Sequence, residues 1–282
     1  SMQVGDLMAF IQYIMHIMFS LIMFSMMFIM IPRASASAIR INQVLDSTTK
    51  IKDPLDSKDV EVGTGSIEFK DVTFSYPGAE QPVLSNVSFT TNPGDVTAII
   101  GGTGSGKSTI INLVPRFYDI DKGSILLDGV DIRHMTQESL RAKIGFVPQK
   151  AVLFSGTIRD NMRVGNDNAT DEEILHALDI AQATEFVSNM EDGLDSAIAQ
   201  GGTNLSGGQK QRLSIARALV RKPALYIFDD SFSALDFKTD AKLRAALKKE
   251  IGSSSILIIA QRISTVMDAD RIIVLNKGRV VG

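Results

Sequence analysis

From Leu7 to Pro32 the chain carries no charged residue, and Met, Ile, Leu and Phe fill most positions. A helix of about 25 residues is roughly 38 Å long, more than the roughly 30 Å hydrocarbon core of a bilayer. A secretory leader has a shorter apolar core behind basic residues, whereas here Asp6 precedes the segment and Arg33 and Arg40 follow it. That charge order predicts a cytoplasmic C-terminal end. Gln12, His16, Ser20 and Ser25 recur at near-helical spacing along the span. Two readings of them stay open: contact with neighbouring helices, or the lining of a pathway. One helix encloses nothing, so residues 1–45 are expected to be the last transmembrane helix of a larger bundle that begins before Ser1. The helical pattern continues through residues 34–44. Asp53-Pro54 and Gly63-Thr64-Gly65 then punctuate a polar stretch over 46–65, which reads as a linker.

Beyond the linker the period changes. Residues 67–74 and 83–90 alternate apolar with polar positions, as half-buried strands do. Short β-branched runs at 96–100, 124–128, 143–147, 225–228, 255–259 and 271–275 read as strands, mostly buried ones. Thr170 and Glu173 have capping-box spacing and open a helix to about Ala181. Strands alternating with helices predict an α/β domain over 66–282 with a mainly parallel sheet.

Composition narrows the chemistry. A 282-residue chain with 44% hydrophobic residues and net charge −3 shows no basic excess for a nucleic-acid partner. The absence of cysteine removes disulfides, thiolate zinc sites and a cysteine nucleophile.

The sharpest motif follows the strand at 96–100. Gly101, Gly102, Thr103, Gly104, Ser105, Gly106, Lys107 and Ser108 fit the pattern G-x-x-x-x-G-K-[ST]. Glycines let the backbone curl its N–H groups around phosphate oxygens, Lys107 reaches the β/γ-phosphates and Ser108 ligates Mg²⁺. A helix starting near Lys107 adds its dipole, and the amphipathic stretch 109–117, opening with Thr109, is expected to form it. Residues 225–229 are an apolar strand ending in Asp229, placed to hold Mg²⁺ through water. A second phosphate clamp is spelled by Leu205, Ser206, Gly207, Gly208 and Gln209. Ser206 and Gln209 have capping-box spacing ahead of a helix that ends before Pro223. One nucleotide cannot easily use both clamps, so two copies of the domain, head to tail, are the economical arrangement.

With these motifs, residues 65–282 closely resemble the ATP-binding cassette of ABC exporters, and residues 7–46 resemble that family's final transmembrane helix. The resemblance implies a P-loop NTPase fold: a RecA-like core, an antiparallel β subdomain, and an α-helical signature subdomain at about 150–220. It implies ATP and Mg²⁺ as cofactors, a second half-transporter subunit and the lipid bilayer as partners, a small-molecule cargo, and no nucleic acid. The full-length protein is then multi-pass in the cell membrane with this domain cytoplasmic, and continues past Gly282. By the same resemblance Tyr76 stacks on adenine, although a lone tyrosine also reads as a packing residue. Gln149 senses γ-phosphate and metal, and Asp236 closes a loop, Ser233 to Asp236, that crosses the dimer interface.

Two departures stand out against the family. The position after Asp229 holds Asp230 where the family usually has Glu, and Gln261 stands where it usually has His. A carboxylate one methylene shorter retracts its oxygens by more than about 1 Å, a misplacement worth about 100-fold in rate. Glutamine cannot carry the charge of a histidinium. Both departures fall on the site built on this chain's own phosphate loop, while the signature, which serves the opposite site, is intact. The expectation is a slow, degenerate site in a heterodimeric exporter of hydrophobic or amphipathic compounds. A slow homodimer, a soluble ABC ATPase and a small-molecule P-loop kinase are the alternatives. The uncharged span opposes the soluble enzyme, and the signature has no use in the kinase.

Overall fold

The computed structural model describes residues 4–57, 63–250, 252, 254–260 and 266–282. Contacts divide the chain into Ser1–Lys52 and Asp53–Gly282. The first unit holds one helix, α1 (Val4–Leu45), which continues through Pro32. Among the described residues it alone is long and apolar enough to cross a membrane. Its apolar side chains are exposed, Phe10 at 60% and Phe28 at 68%, a costly surface in water and the expected one in hydrocarbon. Ser20 Oγ donates to the His16 carbonyl and Ser25 Oγ to the Leu21 carbonyl, each at 2.9 Å. Both hydroxyls are thus satisfied within the helix.

The second unit runs β1 (Ile67–Phe74), β2 (Leu84–Thr90), β3 (Val96–Gly101), α2 (Lys107–Leu113), β4 (Lys122–Leu127), β5 (Val130–Asp131), α3 (Gln137–Ala142) and β6 (Ile144–Val147). It continues with β7 (Gly156–Thr157), α4 (Ile158–Arg163), α5 (Asp171–Ile180), α6 (Thr184–Ser188), β8 (Ala197–Ile198) and α7 (Gly207–Val220). Next come β9 (Leu225–Asp229), α8 (Phe237–Glu250), β10 (Ser255–Ile259), β11 (Arg271–Asn276) and β12 (Arg279–Val280).

Six strands form a central sheet in the order β12-β11-β3-β10-β9-β6, parallel throughout except for the β11–β12 pair at one edge. Side chains on its strands alternate between two cores. Ala98, Tyr226, Phe228, Ile256 and Ile258 join the residues of α4, α5, α7 and α8. Ile99, Leu225, Ile227, Leu257 and Ile259 join α2 and the antiparallel sheet β2-β1-β4-β5. Burial on both faces is why these strands read as unbroken apolar runs, whereas β1, one-sided in part, reads as an alternation.

Local chemistry sets the helix ends. The Thr170 side chain accepts from the Glu173 N–H while the Glu173 carboxylate accepts from the Thr170 N–H, the expected capping box of α5. Thr170→Ala removes one half of it and is expected to cost about 1 kcal/mol, read as a lower urea midpoint with an unchanged slope. The helix expected over 109–117 is shorter: α2 ends at Leu113, Pro115 has no N–H to extend the ladder, and Arg116 turns the chain with φ 53°. The far part of the linker is tied to this unit. Asp53 Oδ1 accepts from the Gln137 N–H at 2.9 Å, and Asp128 Oδ1 accepts from the Ser66 N–H at 2.9 Å and from the Thr64 hydroxyl at 3.1 Å.

Candidate functional site

β3 lies inside the parallel sheet between β11 and β10, so its C-terminal edge opens where α2 begins. The loop between them curls because glycine allows it: φ is 157° at Gly101, 76° at Gly104 and 102° at Gly106, the residue that opens α2. A methyl group at Gly101 would collide with the Leu275 carbonyl, and one at Gly106 would sit 2.7 Å from Leu84 Cδ2. The ammonium of Lys107 folds back over the loop, donating to the carbonyls of Gly101 at 2.7 Å and Gly102 at 2.8 Å. Ser105 Oγ is buried with no hydrogen-bond partner among the described residues.

In front of the loop lies a cavity of about 730 Å³ lined by Gly101, Gly102, Thr103, Gly104, Lys107 and Ser108 from this side. Gln149, Asp229 and Asp230 close the opposite wall. Parallel pairing of β9 with β10, and of β10 with β3, carries Asp229 and Asp230 to that edge. Gln149 Nε2 lies 3.4 Å from Asp230 Oδ2. Ser105, Gly106 and Thr109, with Val83, Gly104, Lys107 and Ser108, line a smaller hollow of about 180 Å³ at the same loop.

Asp229 and Asp230 share the cavity wall with Lys107. Burial, reinforced by the neighbouring charge of Asp230, pushes the Asp229 carboxyl above the ordinary aspartate range, against the pull of Lys107. The folded state therefore holds its proton to higher pH than the unfolded chain, and the Asp229 charge subtracts stability above its raised pKa. Asp229→Asn is expected to raise the melting temperature of the nucleotide-free protein at pH 7, with the gain vanishing as pH falls below the usual aspartate pKa. The same variant is expected to lose the further rise that Mg²⁺ adds to ATP; thermal melts with ATP plus EDTA and with ATP plus Mg²⁺ separate the two.

The signature segment lies elsewhere. Ser206 caps α7: its hydroxyl accepts from the Gln209 N–H at 3.3 Å, and Gln209 Oε1 accepts from the Ser206 N–H at 2.8 Å. Leu205 is anchored in the core, while Ser206 and Gly207 are exposed. None of residues 205–209 lines the cavity at the phosphate loop. Asp236 is exposed and caps α8 through the Thr239 N–H at 3.0 Å; the Thr239 hydroxyl first, and then that N–H, hold its carboxyl below the usual range. Tyr76 is half-buried against Phe74 and Tyr118, and its hydroxyl meets Thr109 Oγ1 at 3.1 Å. It does not line the cavity. Gln261 lies outside the described residues. Sequence reasoning passed over Arg212, whose guanidinium joins the first turn of α7 to the α5–α6 turn; only its place three residues after Gln209 marked it.

The comparisons agree with this geometry. A family profile described as ABC transporter matches residues 84–233. An uncharacterized ABC transporter ATP-binding protein of Mycobacterium tuberculosis is 47% identical over 285 residues, covering 100% of this chain and 49% of its own length. An ATP-dependent lipid A-core flippase of Desulfotalea psychrophila is 42% identical over 251 residues, 89% of this chain and 44% of the relative. A solved structure of a bacterial Atm1-family ABC exporter with ATP bound superposes with a TM-score of 0.87 at 36% identity, covering 99% of this chain and 49% of that one. The chain thus spans about half the length of the relatives it matches. With its family profile matching residues 84–233, over half of its length, the chain belongs to the ABC transporter family, as an ATP-binding ATPase domain preceded by one long apolar helix.

Proposed function

We propose that this chain is the nucleotide-binding part of an ABC exporter half-transporter. It works head to tail with a second subunit at the cell membrane and exports hydrophobic or amphipathic compounds. The observation that carries the reading is the separation of two phosphate-binding ends on one chain. The loop Gly101–Ser108 faces a cavity that none of residues 205–209 reaches, while Ser206 and Gly207 lie exposed. A second cassette, turned to face the first, satisfies both. Exposed apolar side chains along α1 support a bilayer around it. A relative named for flipping lipid A-core supports amphipathic cargo.

ATP fits the site by the chemistry of its lining. Backbone N–H groups and Lys107 face the phosphates, and Tyr76 stands beside α2 for the adenine. Mg²⁺ fits a donor set of hard oxygens, the Ser108 hydroxyl, the Gln149 amide and, through water, Asp229, and when bound it neutralises phosphate charge. Asp230, paired with Gln149, is placed to orient the attacking water. Its short side chain and the uncharged Gln261 make this a slow site that holds ATP and keeps the dimer closed. The faster site is completed by Ser206, Gly207 and Gly208 over the partner's phosphate loop, with Asp236 in the loop between the two.

ATPase measurement on the purified full-length subunit, alone and co-expressed with a candidate second half-transporter, tests this. Slow turnover alone and fast turnover together are expected. Fast, cargo-stimulated turnover by the subunit alone overturns the heterodimer.

A further inference from the structure

Beyond its own capping box, the first turn of the signature helix is tied to the α5–α6 turn by Arg212. Arg212 Nε donates to the Gly208 carbonyl at 3.4 Å, within α7, and a terminal nitrogen donates to the Gln182 carbonyl at 2.6 Å. The guanidinium carbon lies 4.7 Å from the centroid of the Phe186 ring on α6. Gln182 itself turns the chain between α5 and α6 with φ 57°, and its carbonyl is presented to Arg212 by that turn. On its other side Gly208 lies beside residues 234–235, where a methyl would make ordinary contact at 3.5 Å with the Ala234 carbonyl. The first turn of α7 is thus tied to the α5–α6 turn by Arg212 and lies alongside residues 234–235. Burial lowers the affinity of the Arg212 guanidinium for its proton, opposed by the charges of Asp236 and Glu185. A half-buried cation held this close to a helix N-terminus keeps its field instead of losing it to solvent.

We propose that Arg212 is a positioning residue for phosphate capture at the N-terminus of α7: bridging Gln182 to Gly208, it fixes the direction in which Ser206 and Gly207 face a phosphate. This inference rests on the composite, head-to-tail site proposed above. The bridge is a matter of shape as well as charge. A planar fork reaches two carbonyls while lying on a ring, and an ammonium on a single stem does not reproduce that. Arg212 does not line the cavity at its own chain's phosphate loop, so its effect is expected at the partner's loop.

The experiment uses the full-length transporter with its second subunit and compares Arg212→Lys, Arg212→Met and Ser206→Phe. ATP affinity at this chain's own loop is read by titration with a fluorescent ATP analogue, and kcat and KM by phosphate release. Arg212→Lys is expected to lower kcat about 10-fold or more, a misorientation effect, with the analogue's Kd at the chain's own loop unchanged. Arg212→Met is expected to do the same, and Ser206→Phe, which blocks the clamp, to abolish fast turnover. Wild-type kcat in Arg212→Lys, with Arg212→Met impaired, shows that charge alone matters and overturns the positioning role. Wild-type kcat in both arginine variants, with Ser206→Phe inactive, overturns any role for Arg212 and leaves the composite site standing. Full activity in Ser206→Phe overturns the composite site itself. A loss of analogue binding at the own loop in Arg212→Lys marks a folding defect and likewise overturns the proposal.

Discussion

Asp230→Glu is expected to raise ATP hydrolysis at this chain's own site by up to about 100-fold, the size of effect that a displacement of about 1 Å in a catalytic group produces. The backbone around Asp230 is pinned: its N–H donates to the Ile259 carbonyl at 3.0 Å, and its carbonyl accepts from the Ser233 N–H at 3.2 Å and the Ser233 hydroxyl at 2.8 Å. The extra methylene therefore goes into reach toward the phosphates and not into backbone drift. There is a counter-signature. Asp230 has φ 45°, a left-handed conformation in which Asp and Asn are enriched several-fold over other side chains. Glutamate is expected to lower the melting temperature slightly while turnover rises, the usual direction of a stability–activity trade. Phosphate release by the full-length subunit in Mg-ATP, with melting curves on the same sample, checks both. Unchanged or reduced turnover in Asp230→Glu, also when combined with Gln261→His, removes the slow-site reading.

Much of the site was legible because its motifs are local. The glycine spacing at 101–106, the Thr170 and Ser206 capping boxes and the buried strand ending at Asp229 each depend on residues a few positions apart, and the structure has them as the spacing predicts. What was not legible depends on distance in sequence. The cavity wall joins Gln149 to Asp230, 81 positions apart, through a sheet order in which β3 lies between β11 and β10. No local pattern encodes that order. Helix α8 escaped because its buried face is Asp240, Leu243 and Leu247; with a carboxylate in the stripe the apolar period is too thin to see. Tyr76 shows the limit of a motif. Sequence left stacking and packing both open, and the hydroxyl bond to Thr109 adds a positional constraint that no one-dimensional pattern carries.

Lys107→Ala is expected to weaken ATP binding by about 100-fold or more, since two charge-assisted bonds to phosphate at about 1.5 kcal/mol each are lost. The ammonium also serves the loop itself. It bridges the Gly101 and Gly102 carbonyls, and it is the charge that pulls the Asp229 carboxyl down against burial and Asp230. Without it Asp229 rises further. A carboxyl raised in the folded state binds its proton there at pH values where the unfolded chain has released it, so stability falls as pH climbs from the usual aspartate range through the raised pKa. In Lys107→Ala that fall is steeper and extends to higher pH than in the wild type. The gap in melting temperature between the two proteins without nucleotide should widen as pH rises from about 4 to about 8 and shrink to a constant offset, left by the two lost loop bonds, at the acid end. The double variant Lys107→Ala with Asp229→Asn should remove the divergence while leaving ATP binding lost. Parallel melting curves for the single variant and the wild type across that range would show that Lys107 acts on the nucleotide alone and not on the carboxylate pair beside it.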